Sequence, residues 1–218
     1  MKNIKYIFLN FLNKITPTEK IFHRKYFDKR LSWYHKEISE SLSGIGSGLK
    51  QTKIIRKEIP KIIKKYNIKT IFDAACGDFH WMKLIITKKI SYIGADIVKK
   101  IIKLNIGSNK KKNIKFTHFD FTKDRIPQHD LIICRDALTH LPLKMGLQSK
   151  KNFIKSKSKY LLSTTFPETK INVDIPKGHF RPINLSKVPF SLGKPIILID
   201  EKCDGENKDK SLGLWKIN

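Results

Sequence analysis

From residue 69 onward, short apolar runs alternate with longer amphipathic stretches. Thr70–Asp73, Ser91–Asp96, Asn113–Phe119, His129–Cys134 and Tyr160–Thr165 each read as a strand. Several are near-continuous in hydrophobicity, as in a parallel sheet covered on both faces. Stretches that can form helices lie between them, at 78–89, 97–106 and 143–156. This alternation predicts parallel βαβ units. Upstream, Leu49, Ile54, Ile55, Ile59, Ile62 and Ile63 recur at roughly helical spacing over 49–66, and Pro60 is placed to kink or divide that helix. Ser41–Gly48, rich in Gly and Ser, reads as a loop. After Phe166 the alternation stops, and 167–194, with Pro167, Pro176, Pro182 and Pro189, read as a long structured loop. Loops of that length often carry function. Ile196–Asp200 and Leu212–Ile217 then read as two closing strands, as in a hairpin.

The first 40 residues follow a different pattern. Ile4, Ile7, Phe8, Phe11 and Leu12 share one face of an amphipathic helix, and Phe22, Tyr26, Phe27, Trp33 and Tyr34 follow in a basic context. Residues 1–40 are expected to form a helical lid on a domain spanning 41–218, with contact at a membrane surface as the sharper alternative. Asn10 interrupts the N-terminal apolar run and no small-residue cleavage site follows, so a signal peptide is the weaker reading. No stretch approaches the ~20 apolar residues that span a bilayer.

Composition changes this picture only slightly. The chain has 218 residues, enough for one domain with a short extension. A net charge of +26 points first to nucleic acid. Yet only six of the 45 basic residues are Arg, the side chain that pairs bidentately with phosphate and guanine. The Lys residues are spread along the whole chain, which favours a solvated surface and compositional drift over a built polyanion site. Cys76, Cys134 and Cys203 are odd in number and lack zinc spacing, consistent with a reducing, cytoplasmic setting and no structural metal.

The chemistry concentrates at strand ends. In Ile71–Trp81 a strand ends in Asp73, turns through Gly77 and enters a stretch that can form a helix, at the edge where α/β sheets bind ligands. Asp96 ends the next strand, where a carboxylate can accept both hydroxyls of a ribose. Asp120 follows the third strand and can accept from an exocyclic amine, with Phe119 and Phe121 near the base. One such acid is often only a helix cap; three at consecutive strand ends form one crevice.

At these residues the chain resembles the class I S-adenosylmethionine-dependent methyltransferases. The match runs through Asp73-x-x-x-Gly77, Asp96, Phe119-Asp120-Phe121 and Asp130–Asp136. Ser43–Gly48, Cys76–Met82, Cys134–Pro142 and Arg181–Leu185 further resemble a bacterial and phage-type subgroup with a Cys-Gly-Asp-Phe motif. The resemblance implies a Rossmann-like seven-stranded sheet, mostly parallel with an antiparallel C-terminal strand. It implies S-adenosylmethionine as cofactor, bound by Asp73, Ala75, Gly77, Asp96, Ile97, Asp120, Phe121 and Arg135. The family's loop often carries three alternating Gly, whereas Ala75 and Phe79 hold the outer positions here. The missing outer glycines are what a non-enzymatic binding module of this fold would show. A dinucleotide-dependent dehydrogenase would need the fuller Gly-x-Gly-x-x-Gly turn.

Methyl transfer to a hydroxyl needs a base. His140 is the candidate, with Asp136 orienting it or the substrate, and Arg135 is placed to hold an anion bidentately. His179, Arg181 and Asn184 in the long loop are the substrate candidates. The expected acceptor is a small polar molecule such as a sugar or glycan hydroxyl. The alternatives are a nucleic-acid methyltransferase and a binding module with a degenerate cofactor site.

Overall fold

The structure is a computed structural model, and it describes residues 16–28 and 40–218. Seven strands form one sheet in the order β3-β2-β1-β4-β5-β7-β6. They are β1 (Thr70–Ala74), β2 (Ser91–Asp96), β3 (Ile114–His118), β4 (Leu131–Cys134), β5 (Tyr160–Thr165), β6 (Ile197–Asp200) and β7 (Ser211–Lys216). β7 runs antiparallel to both β5 and β6, and the remaining pairs are parallel. This is the mostly parallel, Rossmann-like sheet expected from the sequence.

Strand periodicity builds two cores, one on each face of the sheet. Ile71, Leu131, Ile133 and Leu162 enter one cluster, and their neighbours Phe72, Ile132, Cys134 and Leu161 enter the other. Successive strand residues point to opposite faces, so each apolar run fills both. Helix α2 (Lys53–Lys65) buries Ile55, Ile59 and Ile62 against the first cluster. It runs undivided through Pro60. A proline inside a helix costs about 3 kcal/mol, whereas three buried Ile at roughly 2 kcal/mol each outweigh it. Packing therefore decides, and the expected kink or division does not divide the helix. Helices α3 (Lys99–Ser108) and α4 (Leu143–Lys155) fall close to the expected spans.

The expected helix over 78–89 is a correction. Only a single 3-10 turn forms there, at Met82–Leu84. Gly77 and Phe79 both take left-handed backbone, with φ of +55° and +58°, which a right-handed helix cannot contain. Phe79, Trp81, Met82, Ile85 and Ile86 are instead drawn one after another into the first cluster.

Of residues 1–40, helix α1 (Thr18–Phe27) is described. It packs beyond the end of β2: Tyr26 clusters with Val98, Ile101 and Ile102, while Ile21 approaches Gly178 so closely that a Cβ there would lie 2.7 Å from it. The amphipathic face from Ile4 to Leu12, and Trp33 and Tyr34, lie outside the described residues. Among the described residues no helix is long and apolar enough to cross a membrane.

Residues 167–194 form the expected long loop without helix or strand. Two asparagines knit it together. Asn172 donates to the carbonyls of Asn184 and Val188 and accepts from the Asn184 N–H, and Asn184 donates to the carbonyls of Pro167 and Thr169.

Candidate functional site

The strand order brings the carboxylates to one edge. Asp120 follows β3, Asp96 ends β2, Asp73 lies in β1 and Asp136 follows β4, which are consecutive neighbours in the sheet. At roughly 4.8 Å per strand, the row spans about 14 Å. A cavity of about 420 Å³ runs along it. Asp73, Ala75, Gly77, Asp96, Ile97, Asp120 and Phe121 line it, as do Arg135, Asp136 and His140. His179, Arg181 and Asn184 are not among the lining residues.

Each carboxylate has a different environment. Asp73 is buried and accepts a 2.6 Å bond from the Tyr92 hydroxyl. Burial pushes its pKa up to about 7, against the lowering effect of that bond. Asp96 accepts from the Val98 N–H at 2.9 Å, and from the Gly77 N–H and the Tyr26 hydroxyl, each at 3.2 Å. Burial nevertheless raises it to about 6. Asp120 caps its own turn, accepting from the Thr122 N–H at 3.0 Å and the Thr122 hydroxyl at 2.6 Å. Phe121 behind it is stacked on Phe153.

Gly77 is required twice over. Its φ of +55° suits glycine, and a Cβ would lie 2.2 Å from the Ser43 hydroxyl. That approach exists because Asp78 holds the Gly/Ser loop down: its carboxylate accepts from the hydroxyls of Ser41 and Ser43 and from the Leu42 N–H. Gly44–Ser47 of this loop, with Phe22 and Tyr26 of α1, complete the cavity wall.

The region after β4 carries a buried ion network. Arg135 donates Nε and Nη2 to Glu201 at 3.2 and 2.6 Å, and Nη2 also reaches the Gly46 carbonyl at 2.8 Å. Its Nη1 lies 3.2 Å from Asp136, whose Oδ2 also accepts from Lys210 at 2.6 Å. Burial opposes the charge on Asp136, but Arg135 and Lys210 prevail and hold it well below the usual carboxylate range. The bidentate edge of Arg135 is filled by Glu201, so the expectation that Arg135 grips a ligand anion bidentately is corrected. Asp136 sits at φ +54°, with its N–H on the Thr164 hydroxyl at 2.8 Å. The cavity thus meets a fixed, charge-balanced wall.

His140 ends the 3-10 turn Leu138–His140. Its Nδ1 lies 2.9 Å from the His179 carbonyl. A carbonyl only accepts, so Nδ1 carries the proton and the neutral ring keeps its lone pair on Nε2. Burial lowers its pKa, with the His179 carbonyl and Asp136 opposing. His179 therefore contributes through its backbone. Asn184 is occupied in knitting the long loop.

Several cavity residues had no role in the sequence reading. Tyr26 was legible only as an aromatic in a basic helix. Trp81, under the Arg135 guanidinium at 5.5 Å, lies within Cys76–Met82 but has no role assigned by the sequence. Lys210, and Glu201 behind it, come from the β6–β7 region, 74 and 66 residues from their partners Asp136 and Arg135. No local pattern marks them.

No protein-family model matches the chain, and no curated protein matches it in sequence. Solved structures match its fold. Human N-acetylserotonin methyltransferase, in complex with S-adenosylmethionine, superposes with a TM-score of 0.63 at 12% identity, over 92% of this chain and 60% of that one. Magnesium protoporphyrin IX methyltransferase from Synechocystis, with bound S-adenosylmethionine, gives 0.62 at 10% identity over 91% and 96%. The N-methyltransferase NodS from Bradyrhizobium japonicum, in complex with S-adenosylhomocysteine, gives 0.64 at 9% identity over 92% and 98%. This chain spans about three fifths of the human enzyme and nearly all of the other two. The fold is the Rossmann-like methyltransferase fold.

Proposed function

We propose that this protein is an S-adenosylmethionine-dependent methyltransferase acting on the hydroxyl of a small polar acceptor, a sugar or glycan being the first class to test. One observation carries the reading: Asp73, Gly77, Asp96, Asp120 and His140, from four separate strand ends, line one cavity on a fold shared with methyltransferases crystallised with that cofactor. The close approach at Gly77 and the row of carboxylates fit a nucleoside carrying a charged side chain. Asp96 would hold the ribose hydroxyls, Asp120 and Phe121 the adenine, and Asp73 and Ala75 the methionine portion. S-adenosylmethionine supplies an electrophilic methyl group on a sulfonium. His140 would take the acceptor's hydroxyl proton on Nε2, the ring held in that tautomer by the His179 carbonyl.

Calorimetric titration with S-adenosylmethionine and S-adenosylhomocysteine tests the cofactor. Saturable binding that Asp96→Ala weakens, in a variant that still melts cooperatively, is the expected result. Absence of binding to either would sink the reading. In a screen of sugar acceptors, His140→Ala should abolish methyl transfer with S-adenosylhomocysteine affinity intact, and loss of both together would make His140 structural.

A further inference from the structure

Two arginines flank the site, and they differ in one respect. The Nε and Nη2 atoms of an arginine form the side-on fork that grips an oxyanion through two parallel bonds. In Arg135 that fork is filled by Glu201. In Arg181, which is only 2% exposed, Nε and Nη2 have no hydrogen-bond partner. The hydroxyl of Thr139, 1% exposed, also lacks one.

Their backbones are paired. The Arg181 N–H donates to the Thr139 carbonyl at 3.1 Å, and Arg181 Nη1 donates to the Leu141 carbonyl at 2.7 Å. The Gly178 N–H reaches the His140 carbonyl at 2.8 Å, and His140 Nδ1 reaches the His179 carbonyl at 2.9 Å. Four bonds therefore zip segment 139–141 to segment 178–181 and hold the guanidinium at a fixed end. Leu141, which anchors Nη1, and Phe180, the chain neighbour of Arg181, both line the cavity. The guanidinium is thus tied through Nη1 to the backbone of a residue that lines the same cavity as His140.

The nearby charge is not balanced. Burial pulls the Arg181 pKa below arginine's ordinary value, and Asp174 offsets this only in part. Asp174 itself accepts from the N–H groups of Leu143 and Ile175. Lys25 adds positive charge, lowering both His140 and His179 after burial. A buried polar group without a partner destabilises the fold unless something pairs with it. Two such atoms on Arg181 and one on Thr139 belong to residues whose backbones are paired.

We propose that the Arg181 fork and the Thr139 hydroxyl form an oxyanion subsite beside His140, which takes a carboxylate or phosphoryl group carried by the acceptor. The acceptor class then narrows to anionic molecules, such as acid sugars or sugar phosphates. Only the identification of the anion's carrier as the methyl acceptor rests on the methyltransferase reading; the subsite itself does not.

The test uses the full chain, with inorganic phosphate and with acetate as probes, at constant ionic strength set with chloride. Calorimetry and thermal melts should show saturable binding of one probe to the wild type. Arg181→Lys keeps the charge but loses the fork, and should weaken that binding at least tenfold. Thr139→Val, which keeps the shape, should weaken it severalfold and serves if Arg181→Lys fails to fold. A preference for phosphate identifies a phosphoryl group, and a preference for acetate a carboxylate. No saturable response in the wild type, or equal binding by wild type and both variants, overturns the proposal, the latter assigning the anion to surface lysines. S-adenosylhomocysteine affinity is read on the same samples. Its loss with anion binding intact would overturn the methyltransferase reading and leave the subsite standing.

Discussion

The Tyr26 hydroxyl lies 3.2 Å from Oδ2 of Asp96, 70 residues further along the chain. This bond ties α1 to the carboxylate that ends β2, and it raises a question of capacity. A carboxylate offers about four acceptor positions. Val98, Gly77 and Tyr26 occupy three of them. Two ribose hydroxyls need two, so one existing donor must yield. The two backbone N–H groups are fixed by the fold, which leaves the tyrosine.

Tyr26→Phe keeps the ring packing and removes this competitor. It should bind S-adenosylhomocysteine more tightly, by roughly the 0.5–1.5 kcal/mol of one hydrogen bond, or about threefold to tenfold. Calorimetry on the two proteins decides the matter. Weaker binding by the variant would mean that Tyr26 holds the cofactor rather than yielding to it.

The raised carboxylates make both stability and binding depend on pH. Asp73 at about 7 and Asp96 at about 6 stand above the ordinary value near 4. The folded state keeps protons that the unfolded chain has released, so their contribution is fully present below pH ~4 and is lost as pH rises through the folded values. The size should be roughly a few kcal/mol. Urea unfolding of wild type and Asp73→Asn across pH 5 to 8 isolates the Asp73 share, since His140 titrates in both. The wild type's advantage should shrink as pH rises, and a constant difference would refute the assignment. Cofactor affinity should move the other way, because ionised Asp96 is the better acceptor. S-adenosylhomocysteine should bind more tightly as pH climbs through about 6, and Asp96→Asn should flatten that rise.

Gly77 separates two effects that usually coincide. Gly77→Ala meets both a backbone strain of about 1–2 kcal/mol at positive φ and the Ser43 hydroxyl. Adding Ser43→Gly removes the nearer atom but leaves the strain. The single variant should lose cofactor binding and several kcal/mol of stability, on the scale of other disrupted close contacts. The double variant should recover part of the stability. Full recovery would show that φ is not limiting, and no recovery that the contact is not.

The strands, and the acids at their ends, were legible because apolar runs and the residues that close them are local patterns. So was the absence of regular structure after Phe166, where prolines accumulate. The stretch 78–89 misled because its apolar spacing suits a helix, while the left-handed residue that forbids one is a phenylalanine. The Gly/Ser stretch was legible as a loop, but its place on the cavity wall depends on Asp78, which no local pattern pairs with it. Arg135 and Arg181 look alike as letters. What distinguishes them is Glu201, the residue just after β6, which nothing near Arg135 in sequence announces.

That glutamate offers the clearest test of the site's scaffold. Glu201 is 2% exposed and meets Arg135 through two bonds, while Arg135 reaches on to the Gly46 carbonyl. Glu201→Ala leaves the Nε of a buried guanidinium without its carboxylate, with Asp136 and the Gly46 carbonyl as the remaining partners, and should cost up to the roughly 3–5 kcal/mol of a broken buried pair. Replacing both, with Arg135→Met and Glu201→Leu together, removes one charge of each sign and leaves the Lys210–Asp136 pair in place at 2.6 Å. Apolar replacement of a buried pair is often neutral for stability. The double variant should therefore unfold at a higher urea concentration than the single one. Its Gly46 carbonyl would still lack the Arg135 donor, so the Gly/Ser wall should loosen and cofactor affinity should fall even where stability returns. A double variant that regains both stability and affinity would show that the network serves packing alone.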